Sequence, residues 1–169
     1  MKMKLIFPIC ICLTIVILIN SCTKDNVEST ANDKNLYSAI SSASGYTYYR
    51  ATPTITSAQE NSPHSFERVR FNSIAASSLD SSGKLPVGSN FLNGAIIVKE
   101  IYTSINGSIN QFAVMKKDPT NNGASNGYLW AEFKTDGTVT YSTANKGKDC
   151  TGCHSGSTNR DFIRTFDLH

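Results

Sequence analysis

The chain has 169 residues, which is room for one domain, and it carries 16 basic and 13 acidic residues for a formal net charge of +3. Lys2 and Lys4 lie in an N-terminal leader, and removing these two leaves 14 basic against 13 acidic residues, or +1. Because phosphate binding needs a concentrated basic face, and no basic run follows the leader, this composition argues against nucleic acid as a partner.

The leader has the pattern of an export signal. A charged start at Met1–Lys4 precedes an apolar stretch over residues 5–19, which Pro8 interrupts and which is short for a membrane span. It ends in Leu18-Ile19-Asn20-Ser21-Cys22, which resembles a bacterial lipobox, the motif that directs lipidation of its cysteine. The alternative is a plain secretory signal that is cleaved nearby, with Cys22 incidental.

We therefore predict a signal peptide over residues 1–21 and a lipid on Cys22. Lipidation would anchor the exported protein to a bacterial membrane without spanning it, on the periplasmic side or at the cell surface. Lys24-Asp25 after the cysteine favours the outer membrane.

Each of the five cysteines has a predicted location or role. Cys10 and Cys12 lie in the apolar leader and are lost on cleavage, and Cys22 takes the lipid. Only Cys150 and Cys153 remain in the globular part, so no pair is left for a structural disulfide, although export would permit one.

Residues 22–61 are rich in Ser, Thr, Asn and Ala and lack a sustained hydrophobic period. Such a composition buries little apolar surface and predicts a flexible tether. Tyr46, Tyr48 and Tyr49 interrupt it. They form either a short strand packed on the domain or an aromatic cluster in a loosely attached segment, and the sequence leaves both open.

A globular domain is predicted from residue 62 to residue 169, beginning with a helix. Ser62-Pro63 is typical of an N-cap followed by proline at the first helical position. Apolar residues then recur at roughly helical spacing, at Phe66, Val69, Ile74 and Leu79. With Gly83 as a stop signal, the pattern predicts a helix over Pro63–Asp80.

The pattern turns to strands after Pro86. A first hairpin is predicted from Ala95–Tyr102 and Gln111–Lys116, joined at Asn106-Gly107. A second is predicted from Tyr128–Lys134 and Thr138–Thr143 around Asp136-Gly137. These elements predict an α+β fold, mainly antiparallel β sheet, with an N-terminal helix.

Cys150-Thr151-Gly152-Cys153-His154 has the spacing of a c-type haem attachment motif. Two thiols reach the two vinyl groups of haem, and the adjacent imidazole ligates iron. The alternatives are half of a zinc site or a redox dithiol. Zinc would need two further ligands, and the mature domain offers only His64 and His169, near its ends. A thioredoxin-like dithiol would need a βαβ fold. We predict one covalent haem c on a C-terminal segment, with His154 as the proximal iron ligand.

The opposite, distal side of the iron is predicted to be open. Residues 155–169 follow His154 and include no methionine. Met115 is the one methionine after the leader, and it lies in a predicted strand, where methionine is usually a core filler. Met115 and His64 are therefore fallback ligands to a five-coordinate iron.

Residues 62–169 resemble the cytochrome P-460 family, which includes the cytochromes c′-beta. The blocks that carry the resemblance, in order, are Phe91-Leu92-Asn93-Gly94 before the strand ending in Lys99-Glu100, Ala113–Lys117, Trp130 with Phe133 and Asp136-Gly137, the Cys-X-X-Cys-His motif, and Asp161-Phe162. Leu92 and Ala95 depart from the family's usual proline and Ser or Thr.

The resemblance implies a mainly antiparallel β fold, a homodimer and a high-spin haem that is open on its distal side. Cytochromes P-460 oxidise hydroxylamine or nitric oxide, pass electrons to a redox partner protein, and carry a haem bonded to a lysine, which Lys99 matches. Cytochromes c′-beta bind nitric oxide in an apolar pocket without that bond. A generic electron-transfer protein is the third class. Arg68 or Arg70 matches a family arginine expected on the distal side.

The environment of Lys99 bears on this choice. Period-two alternation places Lys99 on one strand face with Ala95, Ile97 and Ile101, while Glu100 lies on the other. Both faces are mostly apolar, and burying an unpaired ammonium costs several kcal/mol. Lys99 therefore either extends its ammonium to solvent at the sheet edge or pairs with a neighbour of Glu100. The alternative is that it is the lysine that bonds haem.

Overall fold

The computed structural model of the protein describes residues 27–49, 55–57, 62–156 and 158–168. The predicted signal peptide, the lipidation site Cys22 and the C-terminal His169 lie outside the described residues. Among the described residues, no helix combines the length and the apolar character needed to cross a membrane.

Seven antiparallel strands form one sheet, in the order β1-β3-β4-β5-β6-β7, with β2 also paired to β3. The strands are β1 Tyr46–Tyr48, β2 Thr56–Ser57, β3 Phe66–Asn72, β4 Ile96–Tyr102, β5 Ile109–Lys117, β6 Tyr128–Lys134 and β7 Val139–Tyr141. The helices are α1 Ala31–Ile40, α2 Ser73–Ala76, α3 Thr151–His154 and α4 Thr165–Leu168, with a 3₁₀ turn at Thr143–Asn145. The predicted α+β class, with a mainly antiparallel sheet and a helix near the N-terminus, is confirmed.

Both predicted hairpins are confirmed, because local turn chemistry fixes them. The β4–β5 connection closes with Gly107 N–H donating to the Ser104 carbonyl at 3.0 Å. The second turn closes with Lys134 N–H donating to the Thr138 carbonyl at 2.9 Å. Gly137 there has φ 89°, a conformation that glycine adopts without strain.

The predicted helix over Pro63–Asp80 is wrong, since residues 66–72 form strand β3 in the interior of the sheet. Val69 and Phe71 point to one side of that strand while Arg68 and Arg70 point to the other. The alternation of apolar and polar residues that is typical of a strand could not be recognised, because charged side chains occupy a buried face of β3. Only Ser73–Ala76 is helical, and Asn72 caps it by accepting the Ala75 N–H at 2.9 Å.

The predicted tether needs correction in its described part. Helix α1 begins with a capping box between Thr30 and Asp33, and its Leu36 and Ile40 are buried against the sheet. Because only Leu36 and Ile40 of this helix are buried apolar residues, low average hydrophobicity concealed its docking on the sheet. Tyr46 and Tyr48 lie in strand β1, which pairs with β3, and Tyr49 packs edge to face on Phe71, so the first of the two open alternatives is correct.

The sheet has two buried faces. The helix face is the side covered by α1, and its buried residues include Ile96, Val98, Phe112, Val114, Leu129 and Phe133. The cavity face is the opposite side, where Val69, Phe71, Ile97, Met115 and Trp130 pack with Ile163 and Phe166 of the C-terminal segment. The C-terminal segment therefore lies across the cavity face and leaves a cleft between itself and the sheet.

Candidate haem site

The cleft on the cavity face contains about 1020 Å³ of space, counted out to its open mouth. Its sheet wall includes Glu67, Val69, Ile97, Lys99, Met115, Trp130 and Glu132, and its other wall includes Cys150, Cys153, His154, Ile163 and Arg164.

The Cys-X-X-Cys-His motif occupies one helical turn, α3, at this cleft. His154 N–H donates to the Cys150 carbonyl at 3.1 Å, which brings the ends of the motif together. Within the described residues, Cys150 and Cys153 are both free thiols. Burial, together with the negative charges of Glu132 and Asp149, raises the pKa of the Cys150 thiol to about 11. The thiol is therefore neutral at neutral pH.

The His154 ring is held in the tautomer that a metal ligand requires. Its Nδ1 lies 2.7 Å from the Phe162 carbonyl oxygen. Since a carbonyl only accepts hydrogen bonds, Nδ1 carries the proton and Nε2 is left with the lone pair. Burial lowers the pKa of His154 to about 4, the hydrogen bond to Phe162 opposes this shift, and the positive charges of Lys99 and Arg164 add to it. The imidazole is therefore neutral.

The ring is also fixed by packing. Trp130 meets it edge to face, with 5.2 Å between the ring centroids and 74° between the planes. Two thiols and a neutral imidazole thus share one cleft, and the set fits a haem c. No group of three or more His, Cys, Asp and Glu side chains in the described part of the chain is placed to hold a metal ion, so the zinc alternative gains no ligands there.

Lys99 lies on the cavity face, as the alternation predicted, but its partner was not foreseen. Its Nζ lies 2.7 Å from Glu67 Oε2, and the side chains are 22% and 3% exposed. Strand β4 lies between β3 and β5, so this is not a sheet-edge position. Glu67 was missed because its strand was predicted as a helix.

Glu132 is a second carboxylate that sequence reasoning missed. Its Oε1 lies 3.2 Å from His64 Nε2, and its Oε2 accepts Gln111 Nε2 at 2.6 Å. The sequence does indicate its position, because alternation along Tyr128–Lys134 places Glu132 on the same face as Trp130. His64, a fallback iron ligand, is engaged by this carboxylate at the cleft wall.

A family model described as cytochrome P460 matches residues 46–165, which span the sheet, the cleft and the haem motif. The chain belongs to the cytochrome P460 family. Membership implies a c-type haem protein that binds haem c. The match begins at Tyr46, the first residue of β1, and so extends the resemblance seen from residue 62. No curated protein matches the chain.

The two arginines predicted on the distal side do not reach the cleft of this P460 domain. Arg68 and Arg70 point to the helix face, where their guanidinium groups lie 2.8 and 3.0 Å from the Glu100 carboxylate. Arg70 also donates to the Ile40 carbonyl at 2.6 Å. The prediction failed because a strand, unlike a helix, alternates its side chains between the two faces of the sheet.

Met115, the other fallback ligand in this P460 domain, is a packing residue of the cleft wall. It is buried among apolar side chains of the cavity face and pairs across the sheet with Ile97 and Trp130. Met115 is thus the cross-strand neighbour of Trp130, which contacts the His154 ring.

Proposed function

We propose that the chain is an exported mono-haem cytochrome of the P460 family that oxidises hydroxylamine or nitric oxide at an open distal haem face. The observation that carries the proposal is the position of Lys99, the residue that matches the family's cross-linking lysine. It lies in the wall of the same cleft as Cys150, Cys153 and His154.

Cys150 and Cys153 would hold the haem by thioethers, and His154 would ligate its iron through Nε2. When bound, the haem supplies an iron that accepts electrons from the substrate. Attachment adds each S–H across a vinyl double bond, so no oxidant is required. Haem should therefore stay with the polypeptide through denaturing gel electrophoresis. The double variant Cys150→Ala, Cys153→Ala should lose it, and haem retained by that variant would contradict the assignment.

Oxidation of hydroxylamine releases protons as well as electrons, and the cleft offers an acceptor. The Glu132 carboxylate, which contacts Gln111 Nε2 and His64 Nε2 in the cleft wall, is the proposed proton acceptor. His64 Nε2 lies 3.2 Å from this carboxylate, and the His64 side chain is 17% exposed, which offers the proton a route to solvent. Glu67 is less suited to this role because it holds the Lys99 ammonium at 2.7 Å.

Cross-linking would join Lys99 Nζ to a meso carbon of the haem, as the family resemblance implies. Such an N–C bond would replace one N–H and one C–H and would release two electrons and two protons. A two-electron oxidant of the peroxide class would accept those electrons. Loss of a proton from the ammonium must come first, and the adjacent Glu67 carboxylate is placed to receive it.

Peptide mass mapping of the purified holoprotein tests the enzyme proposal. A haem-bearing peptide that contains both Lys99 and the Cys150–Cys153 segment is expected, together with turnover of hydroxylamine or nitric oxide. Lys99→Arg is the matched control, since it keeps a cation beside Glu67 but gives no such peptide and loses turnover. A free Lys99 peptide in the wild type, with no turnover, would contradict the proposal.

The Lys99–Glu67 ion pair also favours a second candidate, a nitric oxide binding protein of the c′-beta kind. An ammonium that stays paired with Glu67 is not nucleophilic, and the apolar wall formed by Val69 and Ile97 suits a diatomic gas. Reversible nitric oxide binding, without turnover and with an ordinary ferrous Soret band, would favour this candidate. An electron carrier would instead show a six-coordinate iron.

Export, the lipid on Cys22 and a redox partner complete the proposal. The lipobox-like sequence before Cys22 supports anchoring to a bacterial membrane, the outer membrane being favoured by Lys24-Asp25. Electrons taken from a nitrogen-oxide substrate must leave through a partner protein.

A further inference from the structure

The turn that follows the haem motif has an unusual backbone. Asp161 and Phe162 are consecutive residues with φ 46° and 67°, in the left-handed region. Arg160 and Ile163 close the turn with two backbone hydrogen bonds of 3.3 and 2.9 Å. Turns with two positive φ values normally use Asn-Gly or Asp-Gly, and a bulky residue in this region strains the backbone. The surrounding structure must therefore hold Phe162 in place.

The Asp161 carboxylate fixes the conformation of this turn. Its Oδ2 accepts the Phe91 N–H at 2.8 Å and the Tyr128 hydroxyl at 2.7 Å. Its Oδ1 lies 2.8 Å from Lys117 Nζ, and the side chain is 3% exposed. Burial, with the charge of Asp161, raises the pKa of Tyr128 above its usual value, so the phenol remains a donor. Phe91, Tyr128 and Lys117, which lie in three separate parts of the chain, thus all contact the Asp161 carboxylate.

The turn at Asp161 and Phe162 makes a hydrogen bond with the candidate haem site. The carbonyl of Phe162, the residue directly after Asp161, accepts the His154 Nδ1–H at 2.7 Å. A hydrogen bond to the second ring nitrogen fixes the orientation of a metal-bound imidazole and raises its basicity as a ligand. The direction of this carbonyl depends on the φ and ψ angles of the strained turn.

We propose that Asp161 is a positioning residue for the proximal imidazole. By locking the left-handed turn, it aims the Phe162 carbonyl at His154 Nδ1 and so sets how strongly Nε2 donates to the haem iron. The inference rests on the proposed ligation of haem by His154 and is independent of the substrate. A purely structural role would anchor the C-terminal segment without affecting the iron.

Two readouts of the holoprotein separate these roles, the iron–histidine stretching frequency of the ferrous form and the reduction potential. Asp161→Asn keeps the shape of the side chain but removes its charge, so we expect the stretching frequency to fall and the potential to rise. Tyr128→Phe removes one of the donors to Asp161 and should shift both in the same direction by a smaller amount. If Asp161→Asn fails to fold, Tyr128→Phe alone tests the proposal.

Asp33→Asn is the matched control, because Asp33 is also a buried carboxylate with several donors but anchors α1. It should lower stability and leave both readouts at the wild-type values. Lower stability with unchanged readouts in Asp161→Asn and Tyr128→Phe would overturn the proposal. The absence of an iron–histidine band in the wild type would contradict ligation by His154 itself, whereas a normal band without turnover would contradict only the proposed oxidation.

Discussion

Lys99 Nζ lies 2.7 Å from Glu67 Oε2, inside the cleft whose other wall holds His154. Strands β3 and β4 bring these two charges together, although they are far apart along the chain. The pair explains how a lysine is tolerated on a face made of apolar residues, since each charge is satisfied by the other.

Glu67→Gln should lower the free energy of unfolding by about 1–3 kcal/mol, because it leaves a half-buried ammonium without its carboxylate. Urea denaturation measures this in the Cys150→Ala, Cys153→Ala background, where no haem is bonded to Lys99. The control is Asp118→Asn, which breaks the more exposed pair between Lys116 and Asp118, 3.4 Å apart, and should cost less than about 1 kcal/mol. Equal losses from the two substitutions would contradict the importance of burial.

The resting ferric iron is expected to be five-coordinate and high-spin. Met115 packs beside Trp130, the residue that contacts His154, and His64 is engaged by Glu132. Met115→Leu and His64→Ala should therefore leave the ferric absorption and electron paramagnetic resonance spectra high-spin. A low-spin wild-type spectrum that either substitution converts to high-spin would identify a sixth ligand and overturn the expectation.

Local patterns predicted much of this molecule. The haem motif is contiguous, and the two hairpins depend on turn residues next to the strands they join, so neighbouring residues carry the information. The face of Lys99 also followed from alternation within a single strand.

The wrong or missing predictions concern residues whose positions depend on partners that are distant in the sequence. Strand β3 looked like a helix because Arg68 and Arg70 occupy a buried face, which Glu100 on β4 makes tolerable. The docking of α1 depends on Asp33 meeting Ser142 and Thr143, which no local pattern reveals. Glu67 and Glu132 joined the site only when the sheet register brought them to the cleft.

Lipidation of Cys22 stays a prediction, since this residue lies outside the described part of the chain. Mass spectrometry of the mature protein should find an N-terminal cysteine that carries two or three acyl chains. Cys22→Ala should abolish the acyl mass and release the protein from the membrane fraction, while haem attachment at Cys150 and Cys153 remains. An unmodified N-terminus elsewhere within residues 23–61 would contradict the prediction.

Asp33 links α1 to the segment that leads into the haem motif. The side chain is fully buried, and its two oxygens accept the Thr143 N–H at 2.8 Å and the Ser142 hydroxyl at 2.7 Å, besides capping bonds from Thr30. Burial alone would raise the pKa of this carboxyl, but the hydrogen bonds outweigh it and hold the pKa below its usual value of 3.8. The charged form is therefore the one that the fold stabilises.

Asp33→Asn should destabilise the protein by about 1–3 kcal/mol at neutral pH, the scale for hydrogen bonds to a charged group. A depressed folded-state pKa gives stability that is fully present above the unfolded value, near 3.9, and lost as the pH falls through the folded pKa. The difference between wild type and Asp33→Asn should thus be constant from pH 7 to about pH 5 and shrink at lower pH. Urea denaturation at a series of pH values measures it. Asp136→Asn, at an exposed turn, is the control and should cost less throughout. A difference that grows as the pH falls would show that Asp33 is protonated in the folded protein and would contradict the assignment.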